Sequence, residues 1–324
     1  MTKLWNLRYT TRLFLLLACV GFAAAAYQFF YHTDNSDSIQ ISNIQLTPLE
    51  ITDVPPSPEK SLRTLLFELT WIAYAPTHFN PHRKQLPSVE SVRADLKVLQ
   101  QAGFSGLVTY GMDVIAGDAV ALPRIAREVG FRGVILGVWH PGDPDELVKA
   151  KAAARADNVL GLVVGNEGLH MRYDYATLKG AIQEVRQATG KPVTTTEEID
   201  DYADTQLLEL GDWVFPNAHP YWHGITAPEQ AVQWTGQRFR ALQARTHKPV
   251  LLKEVGLPSA GNPSVNERNQ ARYYRLLKER GMPFVYFEAF DQPWKAHASV
   301  ELHWGLFRQD RSPKLIAQWL LGGH

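Results

Sequence analysis

Two glutamates stand directly behind apolar runs of the kind that form buried strands. Gly161-Leu162-Val163-Val164-Gly165 leads into Asn166-Glu167-Gly168, and Val250-Leu251-Leu252-Lys253 leads into Glu254-Val255-Gly256-Leu257-Pro258-Ser259. If the two strands end at one rim, the carboxylates converge across it. A converging pair is what glycosidic bond cleavage requires. One carboxylic acid, kept protonated, donates to the leaving oxygen, and the other attacks the anomeric carbon or activates water. A separation of about 5–5.5 Å would mean retention through a covalent glycosyl-enzyme. For either residue alone a rim salt bridge is the plainer reading. The pair, with Asn166 in front of one member and an aromatic rim around both, favours chemistry.

The surrounding candidates divide between sugar contact and packing. Tyr74 and Tyr110 end the first two predicted strands. Trp139, Trp222, Trp294 and Trp304 fall near strand ends or rim loops, in a chain with nine Trp. An aromatic ring can lie against the apolar face of a sugar, and each of these can equally be core. Glu197 and Glu198 follow the fifth strand, where one could hold a hydroxyl and both could be solvated charge. His78/His82 and His219/His223 have i,i+4 spacing, which on a helix could hold a metal. Pro76, Pro81 and Pro220 flank or interrupt both pairs, so no metal site is expected, although His219 could still hydrogen-bond near the carboxylates.

The elements that must position these residues alternate. Apolar runs at 71–74, 106–110, 133–139, 159–165, 193–196, 213–217, 249–255 and 284–290 read as strands. Segments 88–102, 119–129, 143–156, 175–189, 205–210, 228–245, 266–280 and 313–320 read as helices, with Ser88 as an N-cap. The strands are continuous apolar runs, as strands covered on both faces are. Eight strand–helix units predict an α/β chain whose residues 61–324 form a single (β/α)8 TIM barrel, with its chemistry at the C-terminal ends of the strands. No Gly-rich dinucleotide or P-loop signature is present, and no cofactor is implied.

The first 60 residues are a different object. Lys3, Arg8 and Arg12 precede an uncharged stretch from 13 to 31, about long enough to cross a bilayer as a helix. Charge asymmetry puts its N-terminal side in the cytoplasm. The first reading is a retained signal anchor or transmembrane helix at 1–31, followed by a tether at 32–60 that holds four prolines. Residues 39–46 could add a short strand. A signal peptide cleaved after the alanines at 23–26 and a lipoprotein signal at Cys19 are the alternatives. All three readings place the barrel outside the cytoplasm: on the periplasmic face of the inner membrane if the source is bacterial, or secreted after cleavage. The chain of 324 residues carries 33 Lys+Arg and 33 Asp+Glu, of which 29 and 28 lie after residue 60. That balance argues against a nucleic-acid partner. The lone Cys19 excludes a disulfide scaffold.

Several segments together resemble glycoside hydrolase family 17, of clan A, in its bacterial branch. They are Val164-Gly165-Asn166-Glu167, Asn217-Ala218-His219-Pro220-Tyr221, the run from Lys253 to Gly261, the run from Phe287 to Lys295, and Trp304-Gly305-Leu306-Phe307 with Ser312-Pro313-Lys314. Their order along the chain carries the likeness, which spans roughly residues 71–314. The resemblance implies a retaining β-1,3-glucanase or β-1,3-glucanosyltransferase, with β-glucan or its oligosaccharides as substrate. Glu167 then matches the acid/base, Glu254 the nucleophile, and Asn166 a holder of the sugar 2-hydroxyl. Tyr221 matches an aromatic donor to the nucleophile, and Lys295 and Glu301 match charged residues lining the cleft. Gln292 departs from the pattern, standing where plant members have Glu. Another clan A β-glycosidase activity and a non-catalytic carbohydrate-binding barrel are the alternatives. Hydrolysis against transfer, endo against exo action, and any glucan synthase partner are left open.

Overall fold

The structure is a computed structural model that describes residues 62–322. Seven strands, β1 (Trp71–Ala73), β2 (Gly106–Val108), β3 (Gly133–Val138), β4 (Val159–Val164), β5 (Val193–Thr194), β6 (Leu252–Val255) and β7 (Phe284–Tyr286), form one sheet. The order is β5-β4-β3-β2-β1-β7-β6 and every pairing is parallel. The helices are α1 (Leu62–Phe67), α2 (Val89–Gln101), α3 (Leu122–Val129), α4 (Pro144–Ala153), α5 (Tyr175–Thr189), α6 (Thr205–Leu210), α7 (Pro228–Gln243), α8 (Glu267–Glu279) and α9 (Leu315–Leu321). Five of these starts are set by side-chain caps. Ser88, Asp143, Asp174, Asp204 and Asn266 each accept a first-turn backbone N–H, satisfying donors a helix leaves free.

The apolar runs bury both of their faces. Trp71, Ala73, Val108, Ile135, Val163, Leu251 and Val285 pack together on one side of the curled sheet, with Trp213, Phe215 and Trp304. The intervening residues, among them Ile72, Leu107, Val134, Leu162 and Tyr286, pack under the helices. This double burial is why the strands read as continuous rather than alternating hydrophobics.

One expected strand is not regular. Residues 213–217 form isolated parallel bridges instead, Val214 with Val250 and Asn217 with Glu254 on one side, and Asn217 with Glu198 on the other. Pro216 has no N–H to give to a ladder, so the pairing is interrupted. The segment nevertheless touches both edges of the sheet. Leu251 N donates to Val214 O (3.0 Å) and Lys253 N to Pro216 O (2.8 Å), while Asn217 N donates to Glu197 O (3.0 Å). The sheet therefore curls until its edge strands share this segment, in a barrel-like glycosidase fold.

The expected anchor at 1–31 and tether at 32–60 lie outside the described residues. Among the described residues no helix is long and apolar enough to cross a membrane.

The inner packing leaves no room at Gly137 of β3, where an added Cβ would strike the backbone of Thr109 and Tyr110. Backbone cannot yield as a flexible side chain can. Gly137→Ala is expected to destabilise the fold by about 2–3 kcal/mol, read as a lowered urea midpoint with unchanged slope; an unchanged midpoint would contradict this packing.

Candidate active site

Glu254 owes its direction to a bulge. Leu252 pairs with Phe284 and Val255 with Tyr286, so three steps along β6 face two along β7. A bulge of this kind re-aims side chains. Leu252 and Val255 both pack outward against the helix layer, and the consecutive Lys253 and Glu254 meet between them. Lys253 Nζ donates to Glu254 Oε1 at 2.6 Å and also to Asn166 Oδ1. His219 Nε2 lies 3.2 Å from Glu254 Oε2. All three side chains are buried. Burial alone would raise the Glu254 pKa. The adjacent Lys253 charge and the His219 contact outweigh it and hold the carboxyl well below the usual range.

Glu167 is placed by a loop that strains against its own side chain. Gly165 (φ 79°) and Glu167 (φ 48°) are both left-handed, a region a non-glycine residue seldom adopts. Gly165 and Gly168 both pass so close to Tyr173 that a Cβ on either would overlap its ring. Asn217 Nδ2 donates to Glu167 Oε1 at 2.6 Å. Glu197 braces the loop from behind, accepting Gly168 N and Leu169 N at 3.2 Å each and lying 3.3 Å from the Tyr173 hydroxyl. Burial, then the Glu167 charge, push Glu197 up to about 8. Glu198 takes another direction. It lies close enough to Glu167 and His219 that one donor atom from each falls within 4.8 Å of the others.

Glu167, Glu254, Asn166, His219 and Glu198 line one cavity of about 500 Å³, within the usual range for a small-molecule site. Tyr74, Tyr110, Trp139, Trp222, Trp294, Trp304, Lys295 and Glu301 line it too. Their surroundings separate them. The Tyr74 hydroxyl donates to Asp95 at 2.9 Å, which ties it to the core. Tyr110 carries the Lys253 ammonium over its ring at 4.4 Å, and its buried hydroxyl has no hydrogen-bond partner among the described residues. Trp139 is covered on one face by the Arg172 guanidinium, 4.2 Å from the ring centroid. Trp304 is fully buried, packed edge-on to His219 and Phe287. Of the histidine pairs, His219 is at the site, whereas the His223 ring rests on Trp234 and the His82 ring on Trp294.

Residues 72–305 match the BtgE/BtgC glycoside hydrolase domain. The chain belongs to this glycoside hydrolase family, within glycoside hydrolase family 17. It is 31% identical over 240 residues to a probable β-glucosidase, btgE, of Aspergillus fumigatus, covering 67% of this chain and 42% of that protein. It is 28% identical over 277 residues to a probable glucan endo-1,3-β-glucosidase, btgC, of the same species, covering 71% and 40%. The chain thus spans well under half the length of these fungal relatives. A family 17 β-1,3-glucanosyltransferase from Rhizomucor miehei superposes with a TM-score of 0.64 at 25% identity, covering 77% of this chain and 97% of that one. An endo-laminarinase from a Formosa strain shares the fold, with a TM-score of 0.66 at 20% identity, over 79% and 87%.

Within this family 17 frame, one expected contact is arranged differently. The Tyr221 hydroxyl accepts from Asn262 Nδ2 at 3.2 Å, and its ring packs on Trp222 and Trp304. The donors on Glu254 are Lys253 and His219 instead. Gln292 is structural: its Nε2 donates to Ala75 O (3.0 Å) and its Oε1 accepts from Trp294 Nε1 (2.8 Å), fixing that indole at the cavity wall. Lys295 pairs with Glu288 at 2.8 and 3.0 Å. Burial raises Glu288 to about 7 against the pull of Lys295. The sequence reading assigned no part to Asn217, Lys253 or Glu288. For Lys253 the signal was present, since a lysine inside an otherwise apolar strand must have a buried partner.

Lys253→Met removes the cation that keeps Glu254 ionised. The Glu254 pKa should rise, so an acidic limb in kcat/KM should move to higher pH. Stability at neutral pH should fall by about 3 kcal/mol and recover partly as pH falls, because the folded mutant then takes up a proton more readily than the unfolded chain. A pH–rate profile superimposable on that of the wild type would contradict the assigned pairing.

Proposed function

We propose that this chain is a retaining glycosidase or glucanosyltransferase acting on β-1,3-linked glucan. The observation that carries the reading is the meeting of Glu167 and Glu254 in one cavity, with a buried cation on one and an amide donor on the other. Glu254, held ionised by Lys253, attacks the anomeric carbon. Glu167 gives its proton to the departing sugar oxygen. Asn217 donates to Glu167 Oε1, which leaves the other oxygen to deliver the proton. In the second half-reaction Glu167 takes a proton from the incoming acceptor, whose oxygen displaces Glu254. Water as acceptor gives hydrolysis, and another sugar gives transfer.

With its Oδ1 engaged by Lys253, Asn166 has an NH₂ group left to offer, suited to a sugar 2-oxygen. Trp222 and Trp294, with Phe79 against Trp294 (5.9 Å), offer apolar faces for glucose rings. The btgC relative is named for endo-1,3-β-glucosidase activity, and the Rhizomucor miehei enzyme has been crystallised with laminaritriose. Both support a β-1,3-glucan here. We read residues 61–324 as a (β/α)8 barrel in which 213–217 supply the remaining stave. We further propose that the barrel is carried outside the cytoplasm by the apolar segment at 13–31 behind Lys3, Arg8 and Arg12.

Laminari-oligosaccharides incubated with the protein should give shorter or longer β-1,3-linked products, identified by mass and linkage analysis. Glu254→Ala should reduce turnover by more than about 10³-fold at unchanged circular dichroism. Inertness toward every β-1,3-glucan tested, or a fully active Glu254→Ala, would overturn the reading.

A further inference from the structure

Consecutive glutamates after β5 go to opposite sides of the Glu167 loop. Glu197 braces its back through Gly168 and Leu169. Glu198 lines the cavity in front of it. The Glu198 backbone is bridged to Asn217, the residue whose amide holds Glu167. Glu198 is therefore fixed to the same support as the carboxylate it faces, with donor atoms of Glu198, Glu167 and His219 within 4.8 Å of one another.

The charges around Glu198 are mostly of its own sign. Glu167 comes from the loop after β4, Asp201 from the turn that follows β5, and Glu254 from β6. The cations around the cavity are engaged elsewhere, Lys253 by Glu254, Lys295 by Glu288 and Arg172 by the carbonyls of Trp139 and Asn166, and His219, when protonated, is held against Glu254. Two carboxyls this close cannot both ionise cheaply, so they retain one proton between them over a wide pH range.

We infer that Glu198 is a positioning residue for the proton of Glu167, keeping one proton on the pair for the first half-reaction. This rests on Glu167 being the acid/base. The proton leaves the pair for the departing sugar oxygen as the glycosidic bond breaks and the Glu254–carbon bond forms. Both carboxyls are then anionic, and their repulsion makes Glu167 a stronger base toward the acceptor hydroxyl. The acceptor proton returns to the pair as the acceptor oxygen displaces Glu254. Burial and the neighbouring Glu167 charge push Glu198 well above the usual carboxylate range, in the direction this role needs.

The test is the pH dependence of kcat/KM on laminari-oligosaccharides for wild type and Glu198→Gln. Without the Glu198 carboxyl the shared proton is no longer retained by the pair, so the basic limb should move down by about one pH unit. A merely structural residue would scale the whole profile and leave the limb in place, and that result would overturn the inference. Glu167→Gln, run in parallel, isolates the underlying assignment. It should spare aryl glucosides with good leaving groups far more than oligosaccharides, and equal losses on both would reject Glu167 as the acid. If Glu198→Gln does not fold, carboxyl ¹³C titrations of wild type and Glu167→Gln take its place. The Glu198 midpoint should fall in Glu167→Gln, and an unmoved midpoint would overturn the inference.

Discussion

A lysine and a glutamate adjacent in sequence form an ion pair inside this protein, and the site is arranged around that pair. Burying either charge alone would cost several kcal/mol, and removing one partner from such a pair typically costs about 3–5 kcal/mol. Neighbouring residues on a regular strand point to opposite faces and could not meet. The β6 bulge removes that obstacle. Once Lys253 and Glu254 share a face, Lys253 also reaches Asn166 and packs its ammonium over Tyr110. A single cation thereby ties the ends of β4 and β6 and Tyr110, two residues past β2, into one constellation.

The curled sheet supplies the other half of the constraint. Its edges are drawn together by a segment too irregular to be a strand, and that segment ends on Asn217 and leads into His219, the contacts of Glu167 and Glu254 respectively. The interruption at Pro216 thus lies beside the chemistry. The Glu167 loop behaves alike: left-handed backbone and close glycines are held in place by Tyr173 and Glu197. Strained local geometry of this kind persists only where packing over-determines it.

Much of this was legible in the sequence, because burial on both faces writes itself as apolar runs and helix starts as capping residues. Helices α5 and α6 begin and end where periodicity placed them, and Ser88 caps α2 as expected. Glu167 and Glu254 were visible as carboxylates directly behind such runs. Four features were not legible. The bulge depends on how β6 registers against β7, which one strand's sequence does not encode. The irregular stave read as a strand because its apolar pattern is that of one. The resemblance put the donor to Glu254 at Tyr221, whereas Lys253 and His219 hold it, Lys253 by register and His219, read only as a candidate near the carboxylates, by the extended chain that leads into Pro220. Glu197 and Glu198 are alike in sequence, and only the fold separates a brace from a cavity wall.

The central proposal is that Glu254 supplies the oxygen for a covalent bond to sugar. A 2-deoxy-2-fluoro laminaribiosyl fluoride, which forms that bond quickly and releases it slowly, tests this most directly. After incubation and proteolysis, mass spectrometry should find the fluoro-disaccharide on the peptide containing Glu254, with fragmentation placing it on that carboxyl. A label on a different residue, or an enzyme that turns over laminari-oligosaccharides yet never carries the label, would contradict the account.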